Sequence, residues 1–325
     1  MEQRVLGRTG AKVGVIGFGA WQIGAAWGDV SEADAEAALE AAAAAGVTFY
    51  DTADVYGDGR SERFIGRFRK SHEGVFVATK MGRRVEQTLE NYSATNFAAW
   101  NDDSRANLDV SELDLVQLHC PPPAVYADDA VFDALDAMVA EGRLRNYGVS
   151  VETCDEALAA IARPNVATVQ IILNPFRQKP LDEVLPAAQA AGVGIIARVP
   201  LASGLLSGKY TAETTFAADD HRNFNRRGEA FDVGETFAGV DFATGLEAVE
   251  RLRPLVPEGM TLAQFALRWI LDQAAVSVVI PGARNAKQAE GNAAAADFGP
   301  LGAEVHAEVA KVYDELIRPQ VHHRW

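Results

Sequence analysis

Residues 46–56 read GVTFYDTADVY, a short apolar run that ends at Asp51 and is followed five residues later by Tyr56. Runs of this length that are rich in Val, Phe and Thr and stop at a polar residue are typical of buried parallel strands. A parallel strand that ends in an ionisable side chain presents that side chain at one edge of the sheet, where other strand ends can contribute further groups.

Two further runs end in the same way. Residues 74–80, GVFVATK, end at Lys80, and residues 113–122, LDLVQLHCPP, carry His119 where their apolar part stops. With the first run, they supply an acid, a phenol, an amine and an imidazole, which together are suited to proton transfer. An enzyme is therefore the leading hypothesis.

Strand and helix candidates alternate along the whole chain. The eight strand candidates are VGVIGFGAW, VTFYD, VFVATK, LDLVQLH, NYGVS, ATVQIIL, GIIARVP and SVVIPGA. The first helix candidate, SEADAEAALEAAAAA, has Ser31 as its N-cap and stops at Gly46. Eight strand–helix units favour a closed barrel over an open doubly wound sheet. We therefore predict an α/β fold consisting of a single (β/α)8 TIM barrel.

The two segments outside this alternation have distinct interpretations. The leading segment RVLGRTGAKV predicts an N-terminal β-hairpin that caps the barrel bottom. No linker rich in Pro, Gly or Ser divides the chain, so residues 1–325 are expected to form one domain, with a long loop over approximately 201–245 after strand seven. Within it, residues 211–244 predict either a lid or a disordered segment. Its arginines either attract phosphates or balance an acidic surface.

Composition excludes several functional classes. The formal net charge is −15, which argues against nucleic acid or an anionic membrane as partner. No apolar stretch approaches the ~20 residues that span a bilayer, and the polar start does not resemble a signal peptide. The chain has only 2 cysteines, which implies no disulfide framework, so we expect a cytoplasmic protein that is a monomer or a weak homo-oligomer.

The chemistry of a (β/α)8 barrel lies at the C-terminal ends of its strands. We predict Asp51, Tyr56, Lys80 and His119 as the catalytic residues. Singly, each has an ordinary alternative role as a helix cap, a packing tyrosine, a solvated strand end or a loop-entry histidine. A neighbouring ammonium lowers the pKa of a phenol, which suits the phenol as a proton donor, and a histidine can steady an oxyanion. No metal is required.

The chain resembles the aldo-keto reductase superfamily over nearly its whole length. The resemblance is carried by LGRTGAKVGVIGFGAWQIG, DTADVYGDGRSERFIG, VATK, LDLVQLHCPP, YGVS, PLASGLLSGKY and IPGARNAKQAEGN. It implies a (β/α)8 barrel that reduces aldehydes and ketones with NAD(P)H. It also implies that Tyr56 is the general acid, that Asp51 and Lys80 tune it, and that His119 orients the carbonyl.

The resemblance also implies where the cofactor binds, whereas a Rossmann fingerprint fails because Gln22 occupies the last position of the GxGxxG pattern. We expect NADPH, with NADH possible, and Arg284 as the partner of the 2′-phosphate. The expected cofactor contacts are Gly19, Ala20, Trp21, Ser150, Gln170, Arg198, Pro200, Leu201, Ser203, Gly204, Leu205, Ser207, Lys209, Gly282, Ala283, Arg284, Gln288 and Asn292.

Three positions depart from the family pattern. Val151 stands where many members carry Asn, Arg198 where many carry an aromatic residue that stacks on nicotinamide, and Gly291 where an acidic residue is frequent. Arg198 has three possible roles: stacking on a ring, contacting a phosphate or contacting a substrate acid. These departures concern cofactor affinity and the choice between NADH and NADPH more than the four catalytic residues.

The substrate is less visible in the sequence. A small-molecule carbonyl compound is expected, in a pocket walled by Trp21 and Trp27, although Trp27 could simply pack a loop. Two other classes remain open. One is a nucleotide-binding, redox-sensing regulatory subunit of the same fold with slow turnover. The other is a metal-dependent barrel hydrolase, which needs more histidine and carboxylate ligands at strand ends than this chain offers.

Overall fold

Eight parallel strands form one curled sheet in which each strand pairs with its neighbour in sequence. The computed structural model describes residues 1–24 and 30–325. The strands of the sheet are β3 (Phe18–Gly19), β4 (Phe49–Asp51), β5 (Phe76–Met81), β6 (Leu115–His119), β7 (Tyr147–Ser150), β8 (Val166–Ile172), β9 (Gly194–Arg198) and β10 (Val276–Val279); a separate antiparallel pair consists of β1 (Gln3–Val5) and β2 (Lys12–Gly14).

Helices follow the strands. They are α1 (Trp21–Gly24), α2 (Glu32–Ala44), α3 (Arg60–Arg69), α4 (Ala94–Leu108), α5 (Pro123–Ala127), α6 (Asp129–Ala140), α7 (Cys154–Ile161), α8 (Val184–Ala191), α9 (His221–Phe224), α10 (Phe242–Leu252), α11 (Leu262–Leu271), α12 (Ala286–Ala293), α13 (Ala303–Val312) and α14 (Arg318–Val321), with a π-helical turn over Tyr313–Ile317. Among the described helices, none is long and apolar enough to span a bilayer.

The sheet closes between its first and last strands. The amide of Gly17 donates to the carbonyl of Val279 at 2.8 Å, and the amide of Val279 donates to the carbonyl of Val15 at 2.9 Å. A parallel bridge between Gly19 and Gly282 extends the contact. The predicted α/β fold with eight strand–helix units is therefore confirmed.

The predicted N-terminal hairpin is also confirmed, and it lies at the barrel bottom. Leu6 and Val13 are fully buried in an apolar cluster with Phe49 and Leu115, residues at the start of barrel strands β4 and β6. This cluster fills the end of the barrel opposite the strand ends that carry the ionisable residues. The hairpin thus removes apolar side chains of the barrel interior from water.

The first long helix begins and ends as its sequence predicts. The hydroxyl of Ser31 accepts a hydrogen bond from the amide of Asp34, which satisfies one of the unpaired amides at the start of α2. Gly46 follows the helix with φ +86°, a left-handed conformation that glycine adopts without steric cost. This turn directs the chain into Val47 and β4, which carries Asp51.

The chain between β9 and α10 is an ordered loop over the barrel top. It contains the short helix α9 and three 3-10 segments, Ala202–Ser207, Val233–Glu235 and Phe237–Gly239. The last residues of the loop predicted over 201–245 belong to α10, because the Asp241 carboxylate accepts hydrogen bonds from the amides of Ala243 and Thr244 and so starts that helix at Phe242. The lid predicted for residues 211–244 stays a prediction.

Candidate active site

At the barrel top, Lys80 forms hydrogen bonds to two of the other predicted catalytic side chains, Asp51 and Tyr56. The ammonium of Lys80 lies 2.5 Å from Oδ1 of Asp51 and 3.4 Å from the hydroxyl of Tyr56, and it also donates to the carbonyl of Thr52 at 2.9 Å. Lys80 is 1% exposed and Asp51 is 3% exposed. Parallel pairing of β4 with β5 brings these strand ends side by side. The amine therefore has an anion on one side and the phenol on the other.

The second carboxylate oxygen of Asp51 is held by two amides. Gln170 Nε2 donates to Oδ2 at 2.7 Å, and Gln117 Nε2 donates to the same atom at 3.3 Å. Gln170 is one of the expected cofactor contacts, whereas Gln117 is not among the predicted site residues. The signal for Gln117 was a polar residue inside the apolar run of β6, whose side chain must find a partner when buried.

Burial controls the ionisation of the phenol. It raises the pKa of Tyr56 above that of a free tyrosine, and the Lys80 ammonium opposes this rise without cancelling it. The predicted effect of Lys80 thus has the right direction, but desolvation is the larger effect, so the expectation of a net lowered pKa was wrong. Burial also acts to lower the pKa of Lys80, but Asp51 and Tyr56 outweigh it and the net shift is upward. Tyr56 is therefore a neutral O–H donor at neutral pH.

His119 is a neutral imidazole beside the phenol. Burial, followed by the charges of Arg83 and Lys80, lowers its pKa well below the usual range. Its ring lies edge-on to the ring of Tyr56, with centroids 5.9 Å apart. Arg83 Nε and Gln87 Nε2 donate to its backbone carbonyl at 3.1 Å each and fix the end of β6. A neutral imidazole in this position can donate one hydrogen bond to an oxygen that also contacts Tyr56.

A cavity of about 1000 Å³ runs from these residues across the barrel top. Asp51, Tyr56 and His119 line it, and Lys80 lies behind Tyr56. The expected cofactor residues that line it are Gly19, Trp21, Ser150, Gln170, Arg198, Pro200, Leu201, Ser203, Gly204, Ser207, Lys209, Gly282, Arg284, Gln288 and Asn292.

Three expected cofactor contacts do not line the cavity, and two residues were predicted as walls of the substrate pocket. Ala20, Leu205 and Ala283 are buried in the protein core and do not line the cavity. Trp21 packs beside the phenol of Tyr56, with ring centroids 6.1 Å apart, as expected for a pocket wall. Trp27, the other predicted wall residue, lies outside the described residues.

Several basic residues line the cavity. Lys209, Arg222, Arg284 and Lys287 all line it, although the chain as a whole carries a net charge of −15. The helix α12 begins here at Ala286, so its amide dipole adds to the positive potential. This concentration of positive charge fits the phosphates of a dinucleotide.

The two serines predicted to bind pyrophosphate are bonded within the protein. Ser203 Oγ donates to the carbonyl of Glu235 at 2.9 Å and accepts from the amide of Phe237 at 3.1 Å. Ser207 Oγ donates to the carbonyl of Gly204 at 2.6 Å. In this structure both hydroxyls therefore stabilise the loop rather than face the cavity with unused donors.

Arg198, the departure from the family's aromatic residue, is part of a buried ion pair. Its Nη1 lies 2.5 Å from Oε1 of Glu235, and its Nη2 donates to the carbonyl of Val151 at 2.9 Å. Arg198 also lines the cavity, so the three roles considered for it toward a ring, a phosphate or a substrate acid stay predictions. Glu235 was missed because it lies in the loop, far from Arg198 in sequence and without any periodic pattern.

One group of potential metal ligands occurs among the described residues, consisting of Cys120, Glu152 and Glu235. Its carboxylates already have cationic partners, since Arg83 lies 3.2 Å from Glu152 and Arg198 lies 2.5 Å from Glu235. Burial also raises the pKa of the Cys120 thiol, which disfavours the thiolate that metals prefer. The group therefore fits a metal poorly.

Comparison with protein families gives one match over most of the chain. A family model described as "Aldo/keto reductase family" matches residues 15–314. The aldo-keto reductase YhdN of Bacillus subtilis is 30% identical over 298 residues, covering 89% of this chain and 87% of the relative. A probable voltage-gated potassium channel subunit beta of Oryza sativa is 30% identical and covers 93% of each chain. The aldo-keto reductase yakc [NADP(+)] of Schizosaccharomyces pombe is 28% identical over 91% of this chain and 88% of its own.

Solved structures give the same architecture. The holo form of aldo-keto reductase AKR11C1 from Bacillus halodurans superposes with a TM-score of 0.78 at 25% identity, covering 99% of both chains. The similarity extends over the barrel and the loop across its top. The fold is therefore shared over nearly the whole chain, and the family match covers residues 15–314.

Proposed function

The chain belongs to the aldo/keto reductase family, and from that premise we propose that it reduces aldehydes or ketones to alcohols with NADPH, using Tyr56 as the general acid. The observation that carries this proposal is the bonded series Asp51–Lys80–Tyr56, whose phenol faces the same cavity as His119. Membership of the family supports an oxidoreductase, and the residues of this chain support the individual roles.

The proposed roles follow from charge. The dinucleotide, when bound, supplies the hydride that adds to the carbonyl carbon. Negative charge then develops on the carbonyl oxygen, and Tyr56 donates its proton to that oxygen while Lys80 stabilises the phenolate that remains. Asp51 keeps the Lys80 ammonium in position and offsets the cost of burying it. His119 donates a hydrogen bond that orients the carbonyl.

NADPH is proposed as the cofactor because of the basic residues that line the cavity. Lys209, Arg284 and Lys287 are among them. Gln288 at the start of α12 holds the Arg284 backbone through a hydrogen bond of 2.9 Å from the Arg284 amide to Oε1. A 2′-phosphate adds charge that this region can neutralise. The name of the fission yeast relative includes NADP(+), which agrees with this choice.

Replacement of Tyr56 by Phe tests the assignment. We expect carbonyl reduction to fall by about 10²–10⁴-fold, the usual contribution of a general acid, while NADPH still quenches tryptophan fluorescence with nearly unchanged affinity. A variant that keeps most of its reductase rate would show that Tyr56 is not the principal acid. Failure of the natural chain to bind either nucleotide would overturn the proposed function as a whole.

A regulatory subunit is the second candidate, because one relative is named as a probable channel subunit. That class would show slow reduction and tight nucleotide retention. A burst measurement with carbonyl substrate and NADPH in excess over the protein separates the two possibilities, because a reductase should release the oxidised nucleotide and continue through many cycles. A burst of one equivalent without further turnover would favour the regulatory role.

A further inference from the structure

A second cavity, of about 690 Å³, adjoins the catalytic cavity. The two share Val55, Arg83 and Phe231 in their walls. Because the reacting carbonyl must lie against Tyr56 and His119, the remainder of a substrate is directed past these shared residues. The volume of the second cavity is within the range of about 300–1,000 Å³ that is usual for ligand sites. The second cavity can therefore accept several carbons of a substrate beyond its carbonyl group.

The wall of this second cavity contains both polar and apolar side chains. Glu152, Asp232 and Arg83 provide hydrogen-bonding groups, and Phe231 and Val55 provide an apolar surface. Such a wall suits a ligand that carries both hydroxyl groups and exposed C–H groups. A purely apolar ligand would bury the carboxylates without replacing the water that they lose, which is costly.

Glu152 has unused hydrogen-bonding capacity. Its Oε1 accepts from Arg83 Nη2 at 3.2 Å, and in the described parts of the chain its side chain makes no other hydrogen bond. The side chain keeps 24% of its surface exposed. Burial and the neighbouring Asp232 raise the pKa of Glu152 to about 7, so around neutrality this carboxyl group can accept a hydrogen bond or donate one.

Asp232 and Arg83 are fixed in place beside it. Asp232 Oδ1 accepts from the amide of Gly234 at 2.7 Å and from the indole of Trp325 at 3.1 Å. Arg83 Nε donates to the carbonyl of His119 at 3.1 Å. Rigid donors and acceptors bind a ligand with less loss of conformational entropy than mobile ones.

The charge balance of the wall selects among polar ligands. Even with Glu152 partly protonated, the acidic side chains Glu152, Glu156 and Asp232 outnumber the guanidinium of Arg83 in this wall, and Arg83 is already paired with Glu152. An anionic ligand would therefore be repelled. A neutral ligand with several hydroxyl groups can donate to the carboxylates and accept from Arg83 without introducing an unpaired charge.

We propose that the second cavity binds the hydroxyl-bearing carbons of a polyhydroxylated aldehyde or ketone, with Glu152 and Asp232 accepting hydrogen bonds from its hydroxyl groups. The inference rests on the proposed reductase function. It adds the substrate class and the residues that select it, and it assigns no part of the reduction itself to Glu152.

The test compares two aldehydes of equal carbon number, erythrose and butanal, in steady-state reduction with NADPH. We expect kcat/KM of the natural chain to favour erythrose. Replacement of Glu152 by Leu should lower the ratio of the erythrose value to the butanal value by about 10–100-fold, as expected for losing a hydrogen bond to a charged group. The loss should lie mainly in KM.

Two variants serve as controls. Glu152→Gln keeps an acceptor oxygen and should retain most of the preference, which a merely structural loss would not. Glu258→Leu makes the same apolar change at an exposed position and should leave the ratio as it is. Quenching of tryptophan fluorescence by NADPH verifies that each variant is folded.

The outcomes are distinguishable. Absence of reduction of both aldehydes by the natural chain would overturn the reductase function and this inference with it. Reduction of both with equal kcat/KM, or a Glu152→Leu variant with an unchanged ratio, would overturn the inference alone. A preference for 4-trimethylammoniobutanal over both aldehydes would show that the cavity selects a cation instead.

Discussion

The carboxylate of Glu235 lies 2.5 Å from the guanidinium of Arg198, so the loop that follows β9 is tied back to the last residue of that strand. Both side chains are almost fully buried, with 11% and 8% of their surfaces exposed. The Arg198 guanidinium and the neighbouring Arg83 hold the pKa of Glu235 below its usual range despite burial, which alone would raise it. The pair therefore stays ionised and links the barrel to its covering loop.

Removal of one charge of this pair should loosen the loop. In a Glu235→Gln variant, Arg198 would remain buried without its anion, a change that usually costs about 3–5 kcal/mol. We expect amides of residues 231–240 to exchange hydrogen faster while those of β5 and β6 exchange as before. Hydrogen exchange read by mass spectrometry measures this difference, and uniform acceleration over the whole chain would argue for global destabilisation instead.

The ion pair between Lys80 and Asp51 should also contribute to stability. Replacement of Lys80 by Met leaves Asp51 as an uncompensated buried charge, so we expect the free energy of unfolding to fall by about 3–5 kcal/mol. Lys12→Met, at an exposed position of the hairpin, should change it by less than about 0.5 kcal/mol. Urea unfolding followed by tryptophan fluorescence compares the two. A loss below about 1 kcal/mol for Lys80→Met would contradict the expected dependence on the pair.

Asp54 should make the protein less stable as pH rises. Burial, followed by the charge of Glu62, raises its pKa to about 7, and Arg84 only partly opposes this. The folded state then binds the Asp54 proton more tightly than the unfolded state, so stability falls between about pH 4 and pH 7 and the loss is complete above that range. A shift of three units corresponds to up to about 4 kcal/mol.

An Asp54→Asn variant isolates this contribution. It should match the natural chain at pH 4 and exceed it in free energy of unfolding at pH 8, because an amide has no proton to lose. The exposed neighbour Asp58 provides the matched control, since Asp58→Asn also removes a carboxylate paired with Arg84. Parallel pH profiles for the natural chain and Asp54→Asn would show that the carboxyl does not titrate in this window.

Arg284 should discriminate between the two nicotinamide dinucleotides. In an Arg284→Ala variant we expect the Kd for NADPH to rise by about 10–100-fold, the effect of losing a hydrogen bond between charged groups, and the Kd for NADH to change little. Fluorescence titration with both nucleotides gives the ratio directly. Arg227→Ala removes an exposed arginine from the loop and should affect neither. Equal losses for NADPH and NADH in Arg284→Ala would remove the 2′-phosphate assignment.

The strand ends were predictable because short apolar runs that stop at a polar residue have few structural interpretations. This pattern located Asp51, Lys80 and His119, and the alternation of elements located the barrel around them. The role of Gln117 was harder to predict. A buried amide inside an apolar strand must be hydrogen-bonded, but strand pairing decides which residue is its partner. The bond to Asp51 follows only from the closed sheet.

The loop contacts were not predictable from local pattern. Glu235 reaches Arg198 through a turn whose sequence has no helical or strand period, and the internal bonds of Ser203 depend on that turn. The net direction of the Tyr56 pKa shift was also missed. It depends on how much water the surrounding side chains exclude, a quantity that emerges from packing rather than from residue order.

The hairpin at the barrel bottom constrains the order of assembly. Arg4 donates to the carbonyls of Leu271 and Val276, more than 260 residues further along the chain. These bonds can form only after a ribosome has made nearly the whole polypeptide. The N-terminal hairpin can therefore take its final position only late in synthesis, because contacts of such sequence separation form slowly. The same late segment, β10, both closes the sheet and fixes the hairpin across the barrel bottom, so the two steps depend on each other.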